Sequence, residues 1–196
     1  MNAAISTAAN LLRNTAPYNL SGTGLAAGIW DGGAVRSTHQ EFGARVIVRD
    51  SGALSDHATH VGGTIGAVGT DAAALGMAPA VGIDSYEWTN DVAEMTSRAA
   101  TGPNQSDKLY ISNHSYGWLT GWTWIFSEGT WKQYWYGTWN EREDRGFGQY
   151  DAGARLWDDL CYNAPYYLPC KSAGNDRNNS APFEGETFYY YQSGWK

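Results

Sequence analysis

The sequence predicts an α/β domain with a mostly parallel sheet and helices on both faces, and three observations predict it. Segments of strand length recur at residues 25–30, 81–88 and 108–113, the first of them an apolar run bounded by glycine. Segments with helical spacing of apolar residues lie between them, at 56–67 and 90–100. Polar residues follow the strands closely, with Asp31 after the first and Ser112 to Ser115 at the end of the third. Alternating strands and helices bury both faces of a parallel sheet, and the carboxyl ends of such strands are where ligands and catalytic groups gather.

The elements follow in order. Residues 1–24 form a lead-in, with one short surface helix in the Ala/Leu run A-A-I-S-T-A-A-N-L-L-R and a loop at Tyr18 to Gly24. Leu25 to Trp30 is a buried strand that stops at Asp31-Gly32-Gly33, and Val46 to Arg49 is a second, shorter one. D-H-A-T-H-V-G-G-T-I-G-A at 56–67 reads as a helix packed closely on the sheet, with Asp56 as its cap. Gly69 to Ala74 is a small-residue loop and Gly76 to Pro79 a turn into the strand Val81 to Trp88. Asn90 to Ala100 is a helix capped by Thr89 or Asn90, with Val92, Met95 and Ala99 on one face. Lys108 to Asn113 is the next strand.

Six of the ten tryptophans fall in positions 118–139, with no repeat or helical period, so this stretch reads as an insertion packed over the domain. An aromatic face that stacks on sugars or peptide is the other reading of it, decided by whether Trp122, Trp124 and Trp131 share one exposed face. Tyr150 to Asn163 returns to helical spacing, and Tyr166 to Ala173 is a strand that Pro169 weakens locally. The tyrosine-rich tail has no assignment.

Composition narrows the function. A net charge of −7 with no lysine or arginine cluster argues against binding nucleic acid or an anionic membrane. No apolar run is long enough to span a bilayer and no signal-peptide pattern opens the chain. Cys161 and Cys170 read as two buried or half-buried thiols, not as half of a zinc site.

Asp31 at a strand end, His57 at a helix start and Asn175 after a later strand suit an oriented general base and an oxyanion donor. His57 and His60, with Asp31 as third ligand, suit zinc as well. The flanking residues separate these readings. I-W-D-G-G at 29–33, H-A-T-H-V-G-G-T-I at 57–65, G-M-A-P at 76–79, S-N-H-S-Y-G at 112–117 and S-A-G-N-D at 172–176 resemble the subtilisin-like serine peptidases, the subtilases. In that family the triad runs Asp, His, Ser along the chain.

The resemblance implies a subtilisin-like three-layer fold, of which residues 25–196 are the partial, N-terminal portion with the Trp-rich insertion at about 118–148. It implies Asp31 as the orienting carboxylate, His57 as general base and Asn175 as oxyanion donor. Ser115, Tyr116 and Gly117 are the implied substrate-binding segment, and His60 is a locally packed or bonded support. The chemistry requires no cofactor. A structural calcium is admitted at the loop Val68 to Ala74, where Thr70 stands in place of an oxygen-rich side chain. The family's nucleophile lies well past the oxyanion asparagine in a G-T-S-x-A-type turn, and only Ser180 and Ser193 follow Asn175. The expected protein is thus a secreted serine endopeptidase, monomeric when complete and acting on peptide or protein, supplied as an inactive fragment without its nucleophile. A non-catalytic, peptide-binding relative and an aromatic carbohydrate- or peptide-binding module are the alternatives.

Overall fold

A computed structural model describes residues 2–13 and 15–191. Along the chain these form α1 (Asn2–Ser6), α2 (Ala9–Leu12), β1 (Ala26–Asp31), β2 (Val46–Val48), α3 (Asp56–Gly66), β3 (Gly82–Glu87), α4 (Asp91–Arg98) and β4 (Ile111–His114). Then come β5 (Trp122–Ser127), β6 (Thr130–Trp135), α5 (Ala152–Asn163), β7 (Leu168–Lys171) and β8 (Tyr189–Tyr190). The chain divides into two units, residues 1–116 with 156–171 and residues 117–155 with 172–196.

The first unit is the α/β domain that the sequence predicts. Its five strands, in the order β2-β3-β1-β4-β7, all pair in parallel, with β1 in the centre. Alternation along β1 supplies two cores. Ala27 and Ile29 join Val46 and Ile83 against Ala58, Val61 and Ile65 of α3. On the opposite face Trp30 and Tyr86 meet Met95 of α4 and Leu160 and Trp157 of α5. Trp30 and Tyr86 stack with ring centroids 4.2 Å apart, and Trp30 Nε1 donates to Glu94 Oε2 at 2.8 Å, which ties α4 to the central strand.

Two buried polar clusters sit among these apolar residues. Asp84 of β3 is 2% exposed and takes Arg49 at 2.8 Å and Arg98 at 2.6 Å, so its charge is paired from two directions. His114, fully buried, lies over Trp30 with centroids 5.1 Å apart. Its Nε2 meets Ser112 Oγ at 2.8 Å and its Nδ1 meets the Tyr116 hydroxyl at 3.0 Å. The chain of bonds continues from Ser112 to the Tyr167 hydroxyl and from Tyr116 to Asp91 Oδ2, the latter at 2.5 Å.

Several expectations shift. The single lead-in helix is two short ones, broken at Ala8 with φ 58. Strand β4 starts three residues later than expected, at Ile111, and ends one later, at His114, because Leu109 is taken by a bridge to Ala99. Pro169 is tolerated because β7 is an edge: Leu168 N donates inward to Tyr110 O at 2.9 Å, so by alternation the Pro169 nitrogen faces the open side. Cys161 and Cys170 are exposed free thiols, not buried ones, since Leu160 is the buried residue of α5 and β7 has no outer neighbour among the described residues.

The second unit is built on a three-stranded sheet, β5-β6-β8. The Trp-rich stretch with no assigned structure is a hairpin, β5 antiparallel to β6, and the unassigned tail supplies β8, parallel to β6. Trp122 opposes Trp135, Trp124 opposes Gln133 and Phe126 opposes Trp131, so all of these side chains lie on one face.

Two measurements test the packing. A Cβ on Gly28 would lie 2.5 Å from the Trp30 ring and 2.9 Å from Leu109. Gly28→Ala is expected to cost about 1–3 kcal/mol of overpacking strain, read as a lower midpoint in chemical denaturation; an unchanged midpoint would mean the ring is not seated there. Burial, aided by the charge of Lys171, lowers the His114 pKa from 6.5 to about 3. The unfolded chain therefore takes up a proton that folded His114 refuses, and stability declines as pH falls from the upper value towards the lower. The thermal midpoint is expected to drop between about pH 7 and pH 4.5, and His114→Phe should flatten that drop, since Ser112 keeps Tyr167 and Tyr116 keeps Asp91.

Candidate active site

Asp31 ends β1, and Trp88 N donates to its carbonyl at 2.9 Å. Its carboxylate is steadied at once by the next residue, Gly32 N donating to Oδ1 at 2.8 Å. The chain then passes close to the segment that enters α3. A Cβ on Gly33 would lie 2.4 Å from Ala53 O, so only glycine admits this approach. Just beyond it, Ala34 N donates to Ala53 O at 2.8 Å and Ser55 N to Ala34 O at 2.9 Å.

That bridge delivers Ser55 to the head of α3 in extended conformation, where its Oγ accepts from Ala58 N at 3.0 Å. Ser55, not Asp56, is the cap, and Asp56 occupies the first turn, where a carboxylate suits the helix dipole. Ser and Asp are both good caps, so adjacency in S-D-H left the choice to the backbone. His57 follows as the second residue of α3. Its Nδ1 lies 2.7 Å from Asp31 Oδ2 and 2.9 Å from Oδ1.

A carboxylate accepts only, so Nδ1 carries the proton and donates, which leaves Nε2 of the neutral ring as an acceptor. The Asp31 side chain is 4% exposed and that of His57 59%. Among the described residues no hydroxyl or thiol is bonded to Nε2. The arrangement can hold an imidazole in one tautomer, stabilise its protonated form, and present it to solvent or substrate.

His60 is exposed on α3, whose buried positions are Ala58, Gly62 and Gly66, and it bonds locally through its carbonyl, which accepts from Thr64 Oγ1 at 3.1 Å. No group of three His, Cys, Asp or Glu side chains that could hold a metal ion is present among the described residues. The loop Val68 to Ala74 faces inward with its N–H groups. Glu41 Oε2 accepts from Gly69 N at 2.7 Å and Thr70 N at 3.0 Å, and Oε1 from Asp71 N at 2.9 Å. These bonds, the one from Asp71 foremost, hold the Glu41 pKa below its ordinary value. Calcium is held by a cage of several oxygens, and the groups that this loop turns towards the Glu41 carboxylate are amides. Nothing in the sequence reading singled out Glu41; its signal is only in the three-dimensional meeting of residue 41 with residues 69–71.

Ser115 and Tyr116 leave β4 without regular structure, both half-buried. Asn113 Nδ2 donates to Ser115 Oγ at 2.8 Å, and Lys171 Nζ donates to the Tyr116 carbonyl at 2.6 Å while lying 3.6 Å from the centre of its ring. Gly117 and Asn175 belong to the second unit, and both are exposed there, Asn175 in a bend after Gly174. The support beneath Tyr116, from Ser112, His114 and Tyr167, escaped the sequence reading, although Ser112, His114 and Tyr116 alternate in sequence as one face of a strand does.

A buried carboxylate bonded to an accessible imidazole, at the carboxyl edge of a parallel sheet, is an arrangement that suits a histidine base. The chain belongs to the subtilase family, whose model matches residues 35–193. That span contains His57, Ser115 to Gly117 and Asn175, and begins just after Asp31. Among solved structures, the crystal structure of a cold adapted subtilisin-like serine proteinase is similar at 27% identity and a TM-score of 0.35. The similarity covers 48% of this chain and 37% of that one, so the chain spans little more than a third of that proteinase's length. No curated protein matches the sequence.

The Glu41 contacts carry a prediction. Glu41→Gln, which exchanges a charge-assisted acceptor for a neutral amide, is expected to lower the thermal midpoint and to speed proteolytic nicking at residues 68–74, whereas adding EDTA to the unaltered protein leaves both unchanged. A midpoint that falls on chelation would restore the cation to this loop.

Proposed function

We propose that this chain carries the acid–base portion of a serine endopeptidase. The observation that carries the reading is the 2.7 Å bond from His57 Nδ1 to the buried Asp31 carboxylate. In the proposed reaction Nε2 of His57 takes the proton of a serine hydroxyl as its oxygen attacks the peptide carbonyl. Asp31 holds the tautomer and offsets the charge of the imidazolium, and Asn175 Nδ2 donates to the oxyanion. The imidazolium then passes its proton to the departing amine, and water repeats the sequence on the acyl-enzyme. No cofactor enters these steps.

The substrate we propose is an extended peptide laid along Ser115 to Gly117. Support comes from Lys171, which occupies the Tyr116 carbonyl on the β7 side, because alternate residues of an extended segment turn their backbone groups the opposite way. The acidic chain gives no reason to expect nucleic acid or membrane as partner. No helix among the described residues is long and apolar enough to cross a membrane. Family membership supports, as part of the same proposal, a location outside the cytoplasm, and we expect a monomer.

We assign no turnover to the 196 residues alone. Ser180 is exposed, in N-S-A-P, with its carbonyl accepting from Gln133 Nε2, and it does not open a helix. Ser193 lies outside the described residues. A serine-directed fluorophosphonate is therefore expected to leave this chain unlabelled, and stoichiometric labelling would overturn the assignment. In a protein that joins this chain to a nucleophile, His57→Ala should lower kcat/KM by roughly four to six powers of ten with the fold intact. Unchanged turnover would remove His57 as the base.

A further inference from the structure

Tyr116 is held more firmly than a residue beyond the end of a strand requires, and the groups that hold it lie outside the Asp31 and His57 pair. Connecting segments are ordinarily the mobile part of a fold. Here the ladder between β4 and β7 ends where His114 faces Lys171, and the Lys171 side chain takes over from it. Because Leu168 N donates to Tyr110 O, alternation turns the carbonyls of residues 112, 114 and 116 towards β7 as well. At Tyr116 the donor is Lys171 Nζ, 2.6 Å from the carbonyl oxygen. The same ammonium lies 3.6 Å from the centre of the Tyr116 ring and 5.3 Å from that of Trp157, so two aromatic faces keep it in place.

The hydroxyl end is fixed by a series of bonds that runs in one direction. A carboxylate accepts only, so the Tyr116 hydroxyl donates to Asp91 Oδ2, at 2.5 Å. Having given its one proton, that hydroxyl accepts from His114 Nδ1 at 3.0 Å. Neutral His114 then has Nε2 as an acceptor, which takes the Ser112 hydroxyl proton at 2.8 Å, and Ser112 accepts in turn from the Tyr167 hydroxyl. Each donor in the series has its acceptor, and the last acceptor is Asp91. That carboxylate is itself steadied at the head of α4, where its Oδ1 accepts from Val92 N at 2.7 Å. Without it the Tyr116 proton has no acceptor in the series, and the ring loses the bond that sets its angle.

We infer that Lys171 and Asp91 are positioning residues for the peptide, an inference that rests on the reading of Ser115 to Gly117 as the peptide-binding segment. They act on the peptide only through Tyr116, Lys171 by its carbonyl and Asp91 by its hydroxyl. Lys171 fixes the backbone on the β7 side and Asp91 fixes the side chain from α4, so the segment keeps one conformation before any ligand arrives. A strand added to a segment already in place costs less conformational freedom than one added to a mobile loop.

Amide hydrogen exchange on the 196-residue chain, free and with oxidised insulin B chain as the peptide, tests this. Lys171→Met keeps a stem against the two rings but cannot donate. In the free chain it is expected to speed exchange at residues 115–117 by about tenfold or more while α3 and α4 exchange as before, and Lys171→Arg should restore the slow rate. The parent chain should bind fluorescein-labelled B chain, with exchange at residues 115–117 slowed further. Lys171→Met and Asp91→Ala should each weaken that binding by about tenfold, with far-ultraviolet circular dichroism unchanged. Asp91→Ala should add nothing once Tyr116→Phe has removed the hydroxyl, a dependence that a general loss of packing would not show. Equal exchange at residues 115–117 in Lys171→Met and the parent, failure of Lys171→Arg to restore the slow rate, or an Asp91→Ala effect as large in Tyr116→Phe as in the parent would each overturn the inference. No added protection of residues 115–117 by the B chain in the parent would overturn the peptide reading on which it rests, and the exchange of the free chain tells the two failures apart.

Discussion

The position of strand β1 between two parallel neighbours governs the first unit. Each of its residues must satisfy its backbone on both sides and place its side chain in one of two cores. Ala27 and Ile29 serve the α3 face, Trp30 the α4 and α5 face, and Gly28 leaves room for the Trp30 ring to fold back over it. A strand committed in this way has no freedom of register, since a slip by one residue would exchange its two faces. Asp31 inherits that rigidity: its carboxylate sits where the last paired residue puts it.

The polar groups inside the domain follow from the same constraint. Asp84 is in register with Gly28 on the α4 side, and its charge is tolerated because Arg49 and Arg98 reach it from separate elements. His114 is in register with Trp30 and is held neutral by burial, bonded at both nitrogens. Buried polar groups cost least when every partner is supplied, and both clusters join strand to helix where apolar contact alone would leave the crossing angle loose. The His114 cluster ends at Tyr116, so the packing of one core also fixes the first residues beyond β4.

Periodicity made much of this legible. A buried parallel strand announces itself as an unbroken apolar run, and Leu25 to Trp30 is such a run, whereas Val81 to Trp88 is interrupted by Asp84, Ser85 and Glu87; α3 and α4 show theirs through spaced small and apolar residues. Asp31 and His57 could be named because strand ends and helix starts are readable from glycine and capping residues. What escaped depended on residues that meet only in three dimensions. Glu41 has no local pattern that links it to Gly69, Thr70 and Asp71. The hairpin β5–β6 was hidden because tryptophan at alternate positions on one face, with Thr, Ile and Ser between, is equally what a packed irregular insertion contains. Cys161 was misplaced because the buried stripe of α5 is narrower than its sequence suggests, with Leu160 inside and Cys161 one step round the helix.

The base role proposed for His57 sets opposite needs at its two nitrogens, and its location suits both. The nitrogen that is oriented should face a dry, fixed acceptor, because water competing for Asp31 would loosen the tautomer. The nitrogen that accepts a proton must be reachable. A histidine in the first turn of α3 meets the end of β1 through its Nδ1, and the rest of its ring is open. Asp31 therefore lies 4% exposed under a ring that is 59% exposed. Moving His57 one position along the helix would turn it by about 100°, towards the buried side where Ala58 lies, or away from Asp31 altogether. The short path from Gly33 to the Ser55 cap thus sets more than where α3 begins: it sets the one helical phase in which a single imidazole is held by Asp31 and still left open.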